Sequence, residues 1–341
     1  MILPYRTRSF LKRLGIWLAI LAGIALVVWL CWLVWLNRFV LYTREGAKLE
    51  FSQSSQELSG VTAQKPVIED PVSIYYNEGD ATINTSKELT QLVGYYITRE
   101  ELEKNLPAVR EMVKKLPKET PVMLDLKSPF GNFCYSSSVS ANYNPNVDLE
   151  AMDAFLRELR DSGLYTIARM PALQDKLYGL EHVQDGLPMA SGVLWEDVVT
   201  KTRNYWLNPV SDGTVSYLAQ IANELRGLGF DEVVFYDYYV PEHKQIVFKH
   251  DRAEALAKTA QTLVHTCATD SFAVSFTSKT YFEPPQGRSR IFLQDIAATE
   301  AAAAAEQFAF EDPEIRVVFL TDVHDTRFDS YGVMRPIADA D

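Results

Sequence analysis

The chain has 341 residues, 47% of them hydrophobic and 23% charged. Such a composition excludes a wholly disordered protein, and the length suffices for one α/β barrel of about 250 residues with additions. The formal net charge is −12, and because residues 1–38 hold five of the 33 basic residues and no acidic ones, the remainder carries −17. A body so acidic repels phosphate backbones, which argues against a nucleic-acid partner. Three cysteines are too few for a disulfide scaffold or a cysteine-based zinc site.

An uncharged apolar stretch of 22 residues, 15–36, follows a basic tail at residues 1–14. As a helix it would extend about 33 Å, enough to cross a bilayer. It is longer than the apolar region of a signal peptide and ends in Trp-Leu-Asn-Arg, so we expect a retained anchor. The basic tail places the N-terminus in the cytoplasm. The sequence thus predicts a single-pass membrane protein whose larger part is extracytoplasmic; a buried helix of a soluble domain is the alternative.

Residues 37–90 are rich in Ser, Gln, Glu and Thr, which predicts a stalk with at most one short strand, at 72–76. From 91 to 341, short apolar runs alternate with amphipathic runs. The predicted strands cover 92–97, 122–126, 165–170, 233–238, 272–276, 291–295 and 317–320. The predicted helices cover 100–116, 149–162, 214–228, 252–269 and 298–308, with N-caps at Asp148 and Asp251 and terminators at Gly163 and Gly229.

Strands that alternate with helices favour a parallel sheet with right-handed crossovers. Seven such strands, with or without an eighth from the stalk or the C-terminal tail, predict an α/β fold of the (β/α)8 TIM-barrel type, complete or lacking one strand. An open doubly wound sheet is the alternative, but no Gly-x-Gly-x-x-Gly or P-loop motif follows any strand. We expect Cys134 and Cys267 to lie near opposite ends of this barrel as free thiols.

Polar side chains end several of the predicted strands. In a parallel barrel these C-terminal ends and the loops after them carry the chemistry. The candidates are Asp125, Lys127, Arg169, Asp175, Asp237, Glu283 and Asp295, interleaved with aromatic residues that include Trp206, Tyr236 and Tyr239. Carboxylates beside aromatic rings suit sugars, and glycoside hydrolysis needs two carboxyl groups, one protonated and one ionised.

Each candidate also has a structural interpretation. Asp125 and Lys127 could form an ion pair at a strand end, Arg169 could neutralise a carboxylate, and Asp237 could cap a loop. The five histidines show no His-x-x-x-His or His-Glu-x-x-His spacing, and no Gly-x-Ser-x-Gly motif occurs. We therefore predict no metal and no cofactor, and the chemistry of a metalloprotease or serine esterase is disfavoured.

Five segments, 94–98, 122–127, 164–169, 206–209 and 227–232, have an order and spacing that resemble a bacterial family assigned to the glycoside hydrolases. The resemblance covers about residues 90–285. It implies a TIM-like barrel, in a protein that is often anchored or secreted, and it places Asp125, Lys127 and Arg169 at the family's polar positions.

The fourth strand departs from the family's pattern, which reads Phe-Asp-Tyr-Val-Arg-Phe-Pro. Aligned on Pro241, this chain has Tyr236 in place of the Asp and Tyr239 in place of the Arg, while Asp237 comes one position later. A slip of one residue turns a strand side chain to the opposite face unless a bulge restores it. Either Asp237 regains the pocket, or the site has lost an acid.

The first hypothesis is a membrane-anchored glycoside hydrolase-like barrel that acts on a cell-envelope or environmental polysaccharide. It uses Asp237 as one catalytic carboxylate and Asp125, Glu283 or Asp295 as the other. The expected substrate contacts are Lys127, Arg169, Asp175, Trp206, Tyr236 and Tyr239. The second hypothesis is a glycan-binding or scaffold barrel that cleaves nothing, and the third is a lyase or deacetylase.

Overall fold

The computed structural model describes residues 40–43, 46–49, 88–199 and 202–340. The chain divides into two units, Met1–Asp80 and Ala81–Asp341. In the first, Val40–Thr43 and Gly46–Leu49 pair as antiparallel strands. The predicted membrane span and the predicted strand at 72–76 lie outside the described residues. Within the described ranges, no helix is both long enough and apolar enough to span a bilayer.

Eight parallel strands of the second unit close into a barrel. They are β1 (Val93–Ile97), β2 (Pro121–Asp125), β3 (Tyr165–Pro171), β4 (Glu232–Tyr236), β5 (Ala273–Thr277), β6 (Ile291–Gln294), β7 (Val317–Leu320) and β8 (Gly332–Pro336). Each strand pairs with the next, and β8 pairs with β1. The predicted barrel is confirmed and complete, and the open sheet is excluded. The eighth strand comes from the C-terminal part of the chain.

Helices cover the outside of the barrel. The longer ones are α1 (Arg99–Lys114), α2 (Leu149–Ser162), α3 (Asp212–Leu228) and α4 (Arg252–Cys267); the shorter ones are α5 (Ala301–Glu306) and the segments Lys176–Glu181 and Pro313–Arg316. The predicted caps are confirmed: the side chains of Asp148 and Asp251 accept a hydrogen bond from the backbone of the first helical turn, and Gly163 and Gly229 are left-handed. An antiparallel hairpin, Glu196–Val199 with Thr202–Tyr205, was not predicted.

The inside of the barrel is layered along its axis. Side chains alternate along each strand, so Met123, Ile167 and Val234 belong to a buried apolar cluster that fills the middle. Two residues further along the same strands lie Asp125 on β2, Arg169 on β3 and Tyr236 on β4. The apolar middle thus supports a polar layer at the C-terminal mouth.

The two described cysteines, Cys134 and Cys267, are both buried and free, as predicted. Burial raises the pKa of Cys134 to about 11 and raises that of Cys267 as well. Both thiols therefore stay protonated at neutral pH and act as small apolar side chains.

Candidate active site at the barrel mouth

A cleft of about 490 Å³ lies at the C-terminal ends of β3 to β6. Its walls come from strand ends and the loops that follow them, as a TIM barrel's active site does. The polar and charged lining includes Arg169, Tyr236, Asp237, Thr277, Lys279, Gln294 and Asp295. Four strands that are remote in sequence therefore contribute to one site.

Arg169 organises the floor of this site. Its Nη1 donates to both carboxylate oxygens of Asp125, at 3.0 and 3.2 Å, and its Nη2 donates to Oε1 of Gln294 at 2.8 Å. The guanidinium also lies over the ring of Tyr236, with Cζ 4.1 Å from the ring centroid. One arginine from β3 thus joins β2, β4 and β6, and its charge neutralises Asp125.

Asp237 reaches the cleft through its backbone conformation. It follows the last residue of β4 and has φ = 50°, in the left-handed region that aspartate tolerates better than most residues. This kink turns the side chain into the cleft although Tyr236, one position earlier, occupies the inward face of the strand. Of the two outcomes that the shifted register allowed, the acid is present in the pocket.

The pKa of Asp237 is raised above its ordinary value because the carboxyl is largely desolvated. The positive charges of Lys279 and Arg169 oppose this rise, and the negative charge of Asp125 adds to it. A carboxyl with a raised pKa keeps its proton at higher pH than a solvated one does. Asp237 therefore has the environment of a proton donor.

Asp295 follows β6 in the same way that Asp237 follows β4. It has φ = 60°, is exposed, and lines the cleft. Within the described part of the chain it has no ion-pair partner, so its carboxylate is free to contact a ligand. Glu283 is exposed too, but it does not line this cleft, and the structure does not bring it together with Asp237.

Tyr236 and Tyr239 are two aromatic residues beside Asp237 in the chain. The hydroxyl of Tyr236 donates to the carbonyl of Lys127 at 3.3 Å. Tyr239 is half-buried and packs edge-on against Trp206, with ring centroids 4.7 Å apart. Burial, together with the charges of Asp237 and Asp197, raises the pKa of Tyr239 to about 12.

Three predicted substrate contacts lie beneath the surface. Lys127 and Asp175 are fully buried and form an ion pair, and Trp206 is 2% exposed with its Nε1 donating to Asp197 at 3.4 Å. None of these side chains has surface with which to touch a substrate, so they support the loops around the site. The alternative pairing of Asp125 with Lys127 is wrong, because Asp125 pairs with Arg169 and Lys127 pairs with Asp175.

Sequence reasoning overlooked Thr277 and Gln294. Each is the last residue of its strand, β5 and β6, and the two-residue period places each on the inner face. The hydroxyl of Thr277 and Nε of Arg169 are buried and have no hydrogen-bond partner among the described residues. No group of three or more potential metal ligands occurs in the described ranges.

Several solved structures are similar to this chain in fold. An α-galactosidase from Thermus thermophilus has a TM-score of 0.50 at 10% identity, over 74% of this chain and 60% of that one. A hypothetical protein from Ruminiclostridium thermocellum has a TM-score of 0.44 at 19% identity, over 53% of this chain and 96% of that one. No curated protein sequence matches. At these identities the α-galactosidase supports the barrel fold alone.

A sequence family described as "Putative glycosyl hydrolase domain" matches residues 94–272. This stretch begins in β1 and ends just before β5, so it contains Asp125, Arg169, Tyr236 and Asp237. The match confirms the resemblance seen in the sequence. Because it covers more than half of the chain, the protein belongs to this glycosyl hydrolase-like family.

Proposed function

We propose that the protein is a membrane-anchored, extracytoplasmic glycoside hydrolase that acts on a cell-envelope or environmental polysaccharide. The observation that carries the proposal is that Asp237 and Asp295 line one cleft. Each of these residues directly follows a strand and has a left-handed backbone conformation. Arg169, which bonds to Asp125, forms the floor of the same cleft. Two carboxyls in one cleft are the minimum that glycoside hydrolysis requires.

The two carboxyls have different environments, as the reaction demands. Asp237, with its raised pKa, gives its proton to the glycosidic oxygen as the bond to the anomeric carbon breaks. Asp295 then serves as the ionised partner, which attacks the anomeric carbon or takes a proton from the attacking water. We prefer Asp295 to Asp125 for this role because both oxygens of Asp125 already accept hydrogen bonds from Arg169.

Asparagine substitutions test this assignment. We expect Asp237→Asn and Asp295→Asn each to lower turnover of chromogenic glycosides and cell-wall glycans by about 10²–10⁴-fold, the usual contribution of a positioned acid or base. Glu283→Gln is the matched control, since Glu283 belongs to the loop that follows β5 but does not line the cleft. Wild-type turnover by Asp237→Asn would remove it from the mechanism.

A glycan-binding barrel without hydrolysis is the second candidate. It is favoured by Tyr236, which stands where the family has an acid, and by the neutralisation of Asp125 by Arg169. Its signature is oligosaccharide binding that persists in Asp237→Asn, with no turnover by the wild type on any substrate of the panel.

The anchor and the location are supported by the sequence of residues 1–36. We expect the full chain to fractionate with membranes and a chain that lacks residues 1–36 to be released from them. Protease added outside spheroplasts should digest the barrel of the anchored chain, whereas protection would contradict the proposed location.

A further inference from the structure

Two buried polar atoms at the mouth of the barrel lack partners. Thr277 is 9% exposed, and its Oγ1 makes no hydrogen bond to any described residue. Nε of Arg169 is also buried and likewise has no hydrogen-bond partner among the described residues. Both residues line the one cleft. A buried polar atom without a partner carries a free-energy penalty, so such atoms in a native protein call for a physical explanation.

The neighbouring hydroxyl on the same strand shows that the fold can satisfy such a group. Ser275, two residues earlier on β5, donates to Glu232 and accepts from the backbone N–H of Arg290. The backbone of Thr277 is also paired, since its carbonyl accepts from the N–H of Tyr238 at 3.2 Å. The strand end is therefore well held, and only the Thr277 hydroxyl is left for a ligand.

The charge around the two atoms selects the kind of ligand. The guanidinium of Arg169 is already matched by Asp125, and Asp237 and Asp295 add two further carboxyls against the single cation of Lys279. The cleft thus offers no excess positive charge to a carboxylate or sulfate group. When a sugar enters the cleft and the side chains over these two atoms shift, a neutral hydroxyl can accept from Nε–H of Arg169 and exchange a hydrogen bond with Thr277 at no electrostatic cost.

We infer that Thr277 and Nε of Arg169 form the subsite for a neutral sugar ring, which makes the substrate a neutral glycan rather than a uronic or sulfated one. The inference rests on the proposed function for the identity of the cleft as a glycan site. It concerns binding, however, and can be tested independently of hydrolysis.

The test is titration calorimetry on the full chain with neutral tetrasaccharides (cellotetraose, maltotetraose, xylotetraose and mannotetraose) and with tetragalacturonate. Each titration is repeated in the Asp237→Asn background, so that turnover does not mask binding. We expect at least one neutral tetrasaccharide to bind more tightly than tetragalacturonate. The isosteric change Thr277→Val should weaken that binding about fivefold, the equivalent of one neutral hydrogen bond, and Thr277→Ser should retain it.

Thermal unfolding separates this role from a structural one. Thr277→Val should not lower the melting temperature, because the hydroxyl has no partner to lose among the residues that the structure describes. Thr259→Val is the matched control: Thr259 is also buried, but its hydroxyl donates to the carbonyl of Pro209 at 2.7 Å. This control variant should have a lower melting temperature than the wild type and should bind the tetrasaccharide with the affinity of the wild type.

Four results would overturn the inference: unchanged binding in Thr277→Val, a melting temperature lowered as far as in Thr259→Val, preference for tetragalacturonate, or no binding of any neutral tetrasaccharide. Failure of the catalytic proposal looks different. In that case Asp237→Asn keeps the turnover of the wild type, while Thr277→Val still loses binding.

Discussion

Asp237 combines a left-handed backbone with a desolvated carboxyl, and each of these features lowers the stability of the folded protein. A non-glycine residue in this conformation is less stable by about 1–3 kcal/mol, and the raised pKa shows that its charge is disfavoured where it lies. Asp295 has the same backbone conformation at the equivalent point of β6. Such costs persist where the surrounding barrel is rigid enough to impose them, and here both of these residues line the cleft.

The raised pKa of Asp237 makes stability depend on pH. The folded chain holds this proton more tightly than the unfolded chain, so the contribution to stability is present below the unfolded pKa and is lost as pH rises through the higher folded pKa. We expect the free energy of unfolding of Asp237→Asn to fall less than that of the wild type between about pH 4 and pH 7. Denaturant titrations at both pH values measure this, and parallel curves would contradict it.

The candidate residues show what sequence can establish about a single side chain. Asp125, Arg169 and Asp237 could be assigned to the mouth of the barrel because each lies at or near the C-terminal end of an apolar strand. The burial of Lys127 could not be inferred, since its partner Asp175 belongs to the loop after the next strand, 48 residues away. Thr277 looks like an ordinary strand threonine in the sequence, and only the structure shows that its hydroxyl has no partner in the described part of the chain.

At the scale of elements, the ion pair between Lys127 and Asp175 joins the loops that follow β2 and β3. Asp175 also accepts from the hydroxyl of Tyr217, on α3, at 2.8 Å and from the backbone N–H of Tyr178 at 2.9 Å. One buried carboxylate thus holds together two loops and a helix on one side of the barrel. The loops on that side are fixed by charge as well as by packing.

Removal of the cation from this group should be costly. Lys127→Met leaves the carboxylate of Asp175 buried without its counter-charge, and we expect a loss of about 3–5 kcal/mol in the free energy of unfolding. Lys104→Met is the control, because its pair with Glu100 is exposed and should contribute less than about 1 kcal/mol. Equal losses in the two variants, measured by denaturant unfolding, would show that Lys127 is not needed to balance Asp175.

The helices and strands differ in how far local sequence determines them. The ends of α2 could be predicted because Asp148 and Gly163 are capping residues by their own chemistry. The hairpin formed by Glu196–Val199 and Thr202–Tyr205 could not, since its strands are short and depend on pairing with each other. The strand β8 begins with Gly332 and ends with Pro336, two residues that are disfavoured in strands, so it carried little strand signal.

For the molecule as a whole, Arg290 ties together the N-terminal end of the barrel. It forms a buried ion pair with Glu232 at 2.6 Å and donates to the hydroxyl of Tyr165 and to the carbonyls of Thr90 and Ile315. These contacts reach the starts of β3 and β4 and the segments before β1 and β7. A single side chain therefore links strands on opposite sides of the closed sheet.

We expect Arg290→Met to destabilise the whole barrel by about 3–5 kcal/mol, because the fully buried Glu232 loses its only ion-pair partner among the described residues. Arg203→Met, which breaks the pair between the exposed Arg203 and the partly exposed Glu196, should change the free energy by less than about 1 kcal/mol. Circular dichroism during urea unfolding measures both. A barrel that tolerates Arg290→Met as well as it tolerates Arg203→Met would assign the stability of this end to packing alone.

The position of β8 between β7 and β1 also determines when the barrel can close during synthesis of the chain. On the ribosome, β1 emerges long before Gly332–Pro336, and at about 5–20 residues per second the interval is on the order of ten to fifty seconds. Throughout it, the nascent chain presents two open strand edges, which are templates for pairing with other chains. Until β8 is in place, any sheet that has formed from the earlier strands is therefore open to pairing with other chains, and the insertion of β8 closes both edges at once.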